Sequence, residues 1–101
     1  MRRFRCYDLA IKFFHECQKL KLPDYLKDQL NRASSSTALN LNEGSAKRTV
    51  KDQKKFFYIA FGSARESGAV FDLHPKGVSA ELKDLHDHLC ASIFQLIRKT
   101  S

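Results

Sequence analysis

Few residues of this sequence interrupt regular structure. Only four glycines and two prolines occur among 101 residues, and the breaks that they predict fall at Pro23, at Gly44 and at the segment 75–77. Glycine and proline terminate helices far more often than they continue them. Three breaks therefore predict four helices, and we expect a single all-α domain spanning residues 1–101.

Long apolar runs are also absent. No stretch approaches the roughly 18 apolar residues that a membrane-spanning helix needs. The basic start, residues 1–5, leads into charged amphipathic sequence rather than the apolar run of a signal peptide. We expect a cytoplasmic protein with no membrane partner.

The three cysteines are Cys6, Cys17 and Cys90, and their number and spacing suggest neither a disulfide framework nor a zinc site. They lie in apolar-periodic stretches, which predicts small core residues. His86 and Cys90 are four apart and share a helical face, but two ligands do not make a metal site. We therefore expect neither a metal nor another cofactor.

The sequence lacks the residue patterns on which common catalytic sites are built. It contains no nucleophile paired with a base, no phosphate-binding loop, and no carboxylate and histidine cluster. The run of small residues at 34–38 is better explained by tight helix packing. We predict that the protein is not an enzyme and has no catalytic residues.

Apolar residues recur at three-to-four spacing in each segment, as amphipathic helices require. Ser, Thr and Asp favour helix starts, because their side chains accept hydrogen bonds from free backbone amides. Short connections force neighbouring helices to be antiparallel, which predicts an up-down-up-down four-helix bundle. The predicted boundaries are a first helix ending near Lys21, a second from an Asp24 cap to Gly44, a third from a Thr49 cap to about Leu73, and a fourth from a Ser79 cap to Arg98.

The third helix carries more apolar surface than one bundle core uses. Phe56, Ile59 and Val70 widen its apolar stripe, and such a surplus predicts contact between subunits. We expect the protein to form a homo-oligomer through this surface.

Positive charge is concentrated at one end of the predicted bundle. The topology gathers there the N-terminus, the connection between the second and third helices, and the C-terminus. Ten basic residues meet only three acidic ones at this end, which accounts for the whole formal net charge of +7. The basic residues are Arg2, Arg3, Arg5, Lys47, Arg48, Lys51, Lys54, Lys55, Arg98 and Lys99.

Four segments of the sequence keep a distinctive mutual spacing. They are QLNRA at 29–33, NLNEG at 40–44, KRT at 47–49 and IAFGSARE at 59–66. Together they resemble the four-helix-bundle proteins encoded in intervening sequences of 23S ribosomal RNA genes, whose pattern reads approximately QLRRAA, NIAEG, RRS and IALGS followed by Glu. The likeness covers the second and third helices closely, while Ser34, Asn42 and Ala46 depart from the usual family residues.

The resemblance implies a homo-oligomeric ring, typically a pentamer. It also implies a link to the accessory proteins of diversity-generating retroelements, which are similar bundles associated with a reverse transcriptase and RNA. The partners that the resemblance suggests are therefore further copies of this chain, structured RNA and a reverse transcriptase.

Folding the second helix back on the third brings a cluster of polar residues together. Arg32 falls within about one turn of Glu66, which predicts a structural ion pair inside the bundle that fixes helix register. The alternative is a site for a small molecule or a reaction. Asn40 and Glu43 either brace the following connection or help to position a nucleic acid. The predicted cluster consists of Arg32, Ser36, Asn40, Glu43, Ser63 and Glu66.

Two classes of function fit these residues. Clustered lysines and arginines bind phosphates and release counterions, so the basic end predicts an RNA-binding surface, although a solvated surface that aids solubility is the plainer alternative. The protein would otherwise be an interaction scaffold, for example for a reverse transcriptase. No RNA-recognition motif occurs, and Tyr7 is the stacking candidate near that end. The predicted phosphate contacts are Lys47, Arg48, Lys51, Lys54, Lys55, Arg2, Arg3 and Arg5.

Overall fold

Four α-helices account for most of the chain in the computed structural model, which describes residues 4–101. The described residues contain no strand. The all-α prediction with four helices is thus confirmed. The helices are α1 (Arg5–Gln18), α2 (Asp24–Ser45), α3 (Val50–Leu73) and α4 (Ala80–Lys99).

Two of the predicted helix caps are confirmed. The Thr49 hydroxyl accepts a hydrogen bond from the Asp52 amide at 3.2 Å, and the Ser79 hydroxyl accepts one from the Leu82 amide at 3.1 Å. Each hydroxyl satisfies an amide that has no partner inside its own helix. The starts of α3 and α4 are therefore encoded locally.

The start of α2 differs from the prediction. Asp24 is the first residue inside α2, and Pro23 holds the extended N-cap position without a side-chain hydrogen bond. A cap residue needs extended backbone, and Pro23 already supplies it with φ of −53° and ψ of 146°. Asp24 instead contributes a negative charge in the first turn, where the helix dipole favours it.

The first helix is also shorter than predicted, because it ends at Gln18 rather than near Lys21. The side chain of Lys27, from α2, donates from Nζ to the carbonyl oxygens of Cys17 and Gln18 at the end of α1, at 3.1 and 2.9 Å, and to that of Leu20 in the connection, at 2.8 Å. A lysine from the next helix therefore caps the end of α1. Amphipathic periodicity carries no information about such a contact.

Neighbouring helices pack antiparallel. Along α2 and α3, Gly44 lies against Phe57 and Ser36 against Ser63, so residue numbers rise on one helix as they fall on the other. The α1 helix packs beside α2 and α4, and α3 also packs beside α2 and α4, with α2 and α3 sharing the most extensive interface. This packing is consistent with the predicted up-down-up-down bundle.

Small polar residues line the buried side of α2 and α3. Ser34, Thr37 and Ser67 are fully buried, and each hydroxyl donates to a carbonyl one turn earlier in its own helix, at 2.7, 2.9 and 3.2 Å. Their hydroxyl groups are satisfied without a partner on the facing helix. Small side chains thus allow close packing of α2 on α3.

Over residues 4–101, no helix combines the length and apolar character needed to cross a membrane.

Candidate nucleic-acid interface

The bundle places basic residues from three helix ends and from the connection between α2 and α3 at one end. The antiparallel order brings the start of α1, the end of α2, the start of α3 and the end of α4 together. The predicted basic residues Arg5, Arg98 and Lys99 lie on these segments, whereas Arg2 and Arg3 lie outside the described residues. We call the remaining five the basic patch: Lys47, Arg48, Lys51, Lys54 and Lys55.

The turn between α2 and α3 is held by backbone contacts. The Lys47 amide donates to the Gly44 carbonyl at 3.1 Å, and the side chain of Gln53 donates to the Lys47 carbonyl at 3.0 Å. Because these bonds use main-chain atoms of the turn, they fix it without engaging the charged groups. Arg48 remains exposed at its tip.

Within the basic patch, Lys47 has the strongest local contacts. Its Nζ lies 3.4 Å from Glu43 Oε1 and 5.0 Å from the centre of the Phe56 ring, and Lys55 Nζ lies 5.9 Å from that ring. The ion pair is half exposed, so solvent and salt screen it strongly. The Phe56 ring therefore contacts the ammonium groups of both Lys47 and Lys55 through cation–π interactions.

The start of α3 concentrates positive charge further. Lys51 lies in the first turn, and Lys54 and Lys55 in the second, against a single acidic residue in the first turn, Asp52. The N-terminal end of a helix already carries positive partial charge, so lysines there repel it and attract anions. The lysines therefore destabilise the start of α3 slightly, and they raise the positive electrostatic potential that attracts phosphate there.

The polar cluster between α2 and α3 is formed in part. Ser36 and Ser63 are hydrogen bonded at 2.9 Å, and the Asn40 amide donates to the Ser36 carbonyl and hydroxyl at 2.9 and 3.0 Å. Asn40 thus braces the helix interface rather than the connection that follows α2. Glu43, by contrast, contacts Lys47 at the start of that connection.

The predicted ion pair between Arg32 and Glu66 is corrected. Both residues are exposed rather than inside the bundle, and Gln29 lies between them, donating to Glu66 Oε2 at 2.8 Å and accepting from Arg32 at 3.3 Å. Exposed charges keep their hydration, so a neutral amide bridge costs less than dehydrating a direct pair. The sequence spacing correctly predicts that Arg32 and Glu66 lie near each other, but it does not predict that both side chains are exposed.

An open groove of about 700 Å³ lies between α3 and α4. At its floor, His86 Nε2 donates to the Ala64 carbonyl at 2.8 Å, and Cys90 Sγ lies 3.5 Å from the same nitrogen. Burial is the main cause that raises the pKa of Cys90 to about 11, so the thiol stays protonated and is a poor ligand and nucleophile. Among residues 4–101, no three potential ligands are grouped to hold a metal ion.

Tyr58 is an exposed aromatic residue close to the basic patch that the sequence analysis does not predict. It is 60% exposed, whereas Tyr7, the predicted stacking candidate, is half-buried and packs 6.0 Å from Phe4. The signal for Tyr58 was its spacing, seven residues after Lys51 and three after Lys55 on the same helix. Tyr58 stands among Phe56, Phe57 and Ile59, so the sequence pattern of this segment predicts a single apolar stripe and does not indicate that Tyr58 is exposed.

The comparison with known protein families agrees with the geometry and the sequence motifs. The family model for the 23S rRNA-intervening sequence protein matches residues 2–98. The chain belongs to this family. No curated protein and no solved structure matches the chain.

In this 23S rRNA-intervening sequence protein, the segments that carry the resemblance meet at one interface. The segments 29–33 and 40–44 lie on α2, and the segment 59–66 lies on α3. The Ser36–Ser63 hydrogen bond joins the two helices between them. The shared motifs therefore include the surfaces that hold α2 against α3, next to the basic patch.

Proposed function

We propose that this 23S rRNA-intervening sequence protein is a non-catalytic, homo-oligomeric bundle that binds RNA or a ribonucleoprotein through the basic patch. The observation that carries the proposal is the density of positive charge on the turn and the first two turns of α3. Among residues 4–101, one ion pair involves this patch, the screened contact of Lys47 with Glu43. The patch therefore keeps most of its charge available for phosphate.

The mode of binding follows from the same residues. Lysine and arginine side chains on a helix contact phosphates, and phosphate contacts fix position without reading sequence. A patch of this kind recognises the charge and shape of a structured RNA, with affinity that depends steeply on salt. The proposal therefore predicts weak sequence preference.

Homo-oligomer formation is the second part of the proposal. Of the α3 residues predicted to widen its apolar stripe, Val70 is buried in the core of the subunit, whereas Ile59 is 43% exposed. Leu39 on α2 is 67% exposed and Phe94 on α4 is 48% exposed, and α2 and α4 do not pack beside each other. A ring requires two different surfaces on each subunit, one for each neighbour. Apolar residues on separate helices fit that requirement, and a pentamer is what the family resemblance implies.

Assembly would strengthen RNA binding. Each subunit contributes one basic patch, and a ring displays several copies side by side, so binding at one patch raises the effective concentration at the next. The oligomeric state is measured by light scattering on the purified protein. A monomer at micromolar concentration would contradict this part of the proposal.

Charge reversal tests the RNA-binding part. The double variant Lys47→Glu and Arg48→Glu removes two contacts, and we expect retention of a ribosomal RNA fragment to be lost at moderate salt. The matched control is Lys21→Glu with Lys76→Glu, because both lysines are exposed and belong to connections at the other end of the bundle. Equal loss in both variants would show that net charge, rather than the basic patch, governs binding.

The alternative is a scaffold that docks another protein, such as a reverse transcriptase. The observation that favours it is the exposed apolar surface at Leu73, which is 72% exposed at the end of α3. Binding to such a partner would persist at high salt and in the charge-reversed variant, and Leu73→Glu would abolish it. Co-purification at low and high salt distinguishes this function from RNA binding.

A further inference from the structure

Tyr58 extends the basic patch along the same face of α3. Residues 51, 54, 55 and 58 follow the three-and-four spacing that places side chains next to one another on a helix. Tyr58 is exposed, while the adjacent Phe57 is buried in the core. Helix packing within the subunit therefore accounts for the burial of Phe57 but not for the exposed phenol of Tyr58.

The helix geometry turns Tyr58 towards the lysines. Long side chains on an α-helix lean towards its N-terminus, which directs Tyr58 towards the turn that carries Lys54 and Lys55. The residue that would lean back over the ring from the next turn is Gly62, which has no side chain. A Cβ placed at Gly62 meets no atom within 4 Å, so the surface on that side of Tyr58 is open.

We propose that Tyr58 is a stacking platform for an unpaired base, which makes the basic patch a site for single-stranded rather than fully paired RNA. The inference rests on the proposed RNA binding and specifies its substrate. Lysines along α3 hold the phosphates of one strand, and one base of that strand lies on the phenol ring. Stacking of this kind tolerates any base, because every base has an aromatic face.

Double-stranded RNA cannot use this platform along its length. Its bases are already stacked and paired, and their faces are hidden inside the helix. A duplex meets the lysines through its phosphates alone. The contribution of Tyr58 therefore separates single-stranded from duplex binding, whereas the contribution of the lysines does not.

The test compares three probes by fluorescence anisotropy: a labelled oligouridylate, its duplex with oligoadenylate, and an abasic strand with the same phosphate backbone. The variants are Tyr58→Ala and Tyr58→Phe, with Tyr25→Ala as the matched control. Tyr25 is 73% exposed in the first turn of α2, at the other end of the bundle. Light scattering of each variant checks that the oligomeric state is unchanged.

We expect Tyr58→Ala to weaken oligouridylate binding about 5- to 150-fold, the range for loss of one stacked base. Tyr58→Phe and Tyr25→Ala should bind as the unmodified protein does. The abasic strand and the duplex should be insensitive to Tyr58→Ala. The salt dependence of oligouridylate binding should keep its slope, since no phosphate contact is lost.

The outcomes separate the two proposals. Oligouridylate binding that Tyr58→Ala leaves unchanged overturns the stacking platform and keeps the phosphate-binding patch. Equal weakening of the abasic strand also overturns it, because no base is present to stack. Absence of binding to every probe at low salt overturns both the platform and the RNA-binding function.

Discussion

Two glycines in the helices of this protein are expected to respond oppositely to the same substitution. Gly44 and Gly62 have no positive φ, since Gly77 is the glycine with that conformation in the described chain. Alanine therefore fits the backbone at both positions and improves helix propensity by about 0.5–1 kcal/mol in a helix interior. Only the surroundings of the new methyl group differ.

At Gly44 the methyl group has no room. A Cβ built there lies 2.6 Å from Cε1 and 2.8 Å from Cδ1 of Phe57, and 3.1 Å from Cβ of Phe56. Phe57 is buried, so its ring can move only by displacing the core or by separating α2 from α3. Overpacking of this kind costs about 1–3 kcal/mol. Gly44→Ala should therefore lower the free energy of unfolding despite its better propensity.

At Gly62 the same methyl group enters open space. Gly62→Ala should raise the free energy of unfolding by about 0.5–1 kcal/mol. The propensity gain is smaller at Gly44, which lies one residue before the end of α2, so the packing cost at Gly44 is shown by a stability below that of the unmodified protein. One kcal/mol corresponds to a shift of about 4–8 °C in Tm for a domain of this size.

Urea unfolding followed by circular dichroism measures both variants. The oligomeric state is checked first, since dissociation also changes apparent stability. Gly44→Ala with stability equal to or above that of Gly62→Ala would refute the close packing of α2 on α3. That result would also remove the physical reason for a glycine at this position.

Three further predictions concern caps, thiols and the polar cluster. Thr49→Ala should lower the free energy of unfolding by about 1 kcal/mol, and Asp24→Ala by less, because Thr49 makes a side-chain cap and Asp24 does not. Thermal melts of the two variants compare these losses. Burial is the main cause that raises the pKa of Cys17 from 9.0 to about 12, so the free energy of unfolding should fall as the pH rises from 9 towards 12. In Cys17→Ala this fall should be smaller, and urea melts across the range measure it. An equal dependence of the unfolding free energy on pH in both proteins would contradict the burial of this thiol. A double-mutant cycle on Ser36→Ala and Ser63→Ala should give a coupling of about 0.5–1.5 kcal/mol, and zero coupling would mean that their hydrogen bond contributes nothing to helix pairing.

Local sequence signals predicted the architecture well. Helical periodicity and the hydroxyl caps at Thr49 and Ser79 depend on neighbours along the chain, so they are visible in sequence. The predicted end of α1 was wrong because the carbonyl groups there are bound by Lys27, a residue of the following helix. Boundaries set by tertiary contacts cannot be found from a local pattern.

The positions of the basic residues could be predicted from the sequence, whereas their binding role stays a prediction. Charge counting along the antiparallel topology located the basic patch, because long-range arrangement follows from the short connections. Burial was harder to predict: Arg32 and Glu66 are exposed and joined through Gln29. Tyr58 was missed for the same reason, since exposure depends on which face of α3 meets α2 and α4.

The most direct test of RNA binding by the basic patch is retention of a ribosomal RNA fragment as salt is raised. Five phosphate contacts per bound subunit predict that the logarithm of affinity falls with that of salt at a slope of about −3.5 for a single strand. A fourfold rise in salt should therefore weaken binding about a hundredfold. The double variant Lys47→Glu and Arg48→Glu should have a shallower slope. Undetectable binding at low salt, or binding that is indifferent to salt, would contradict RNA recognition by this surface.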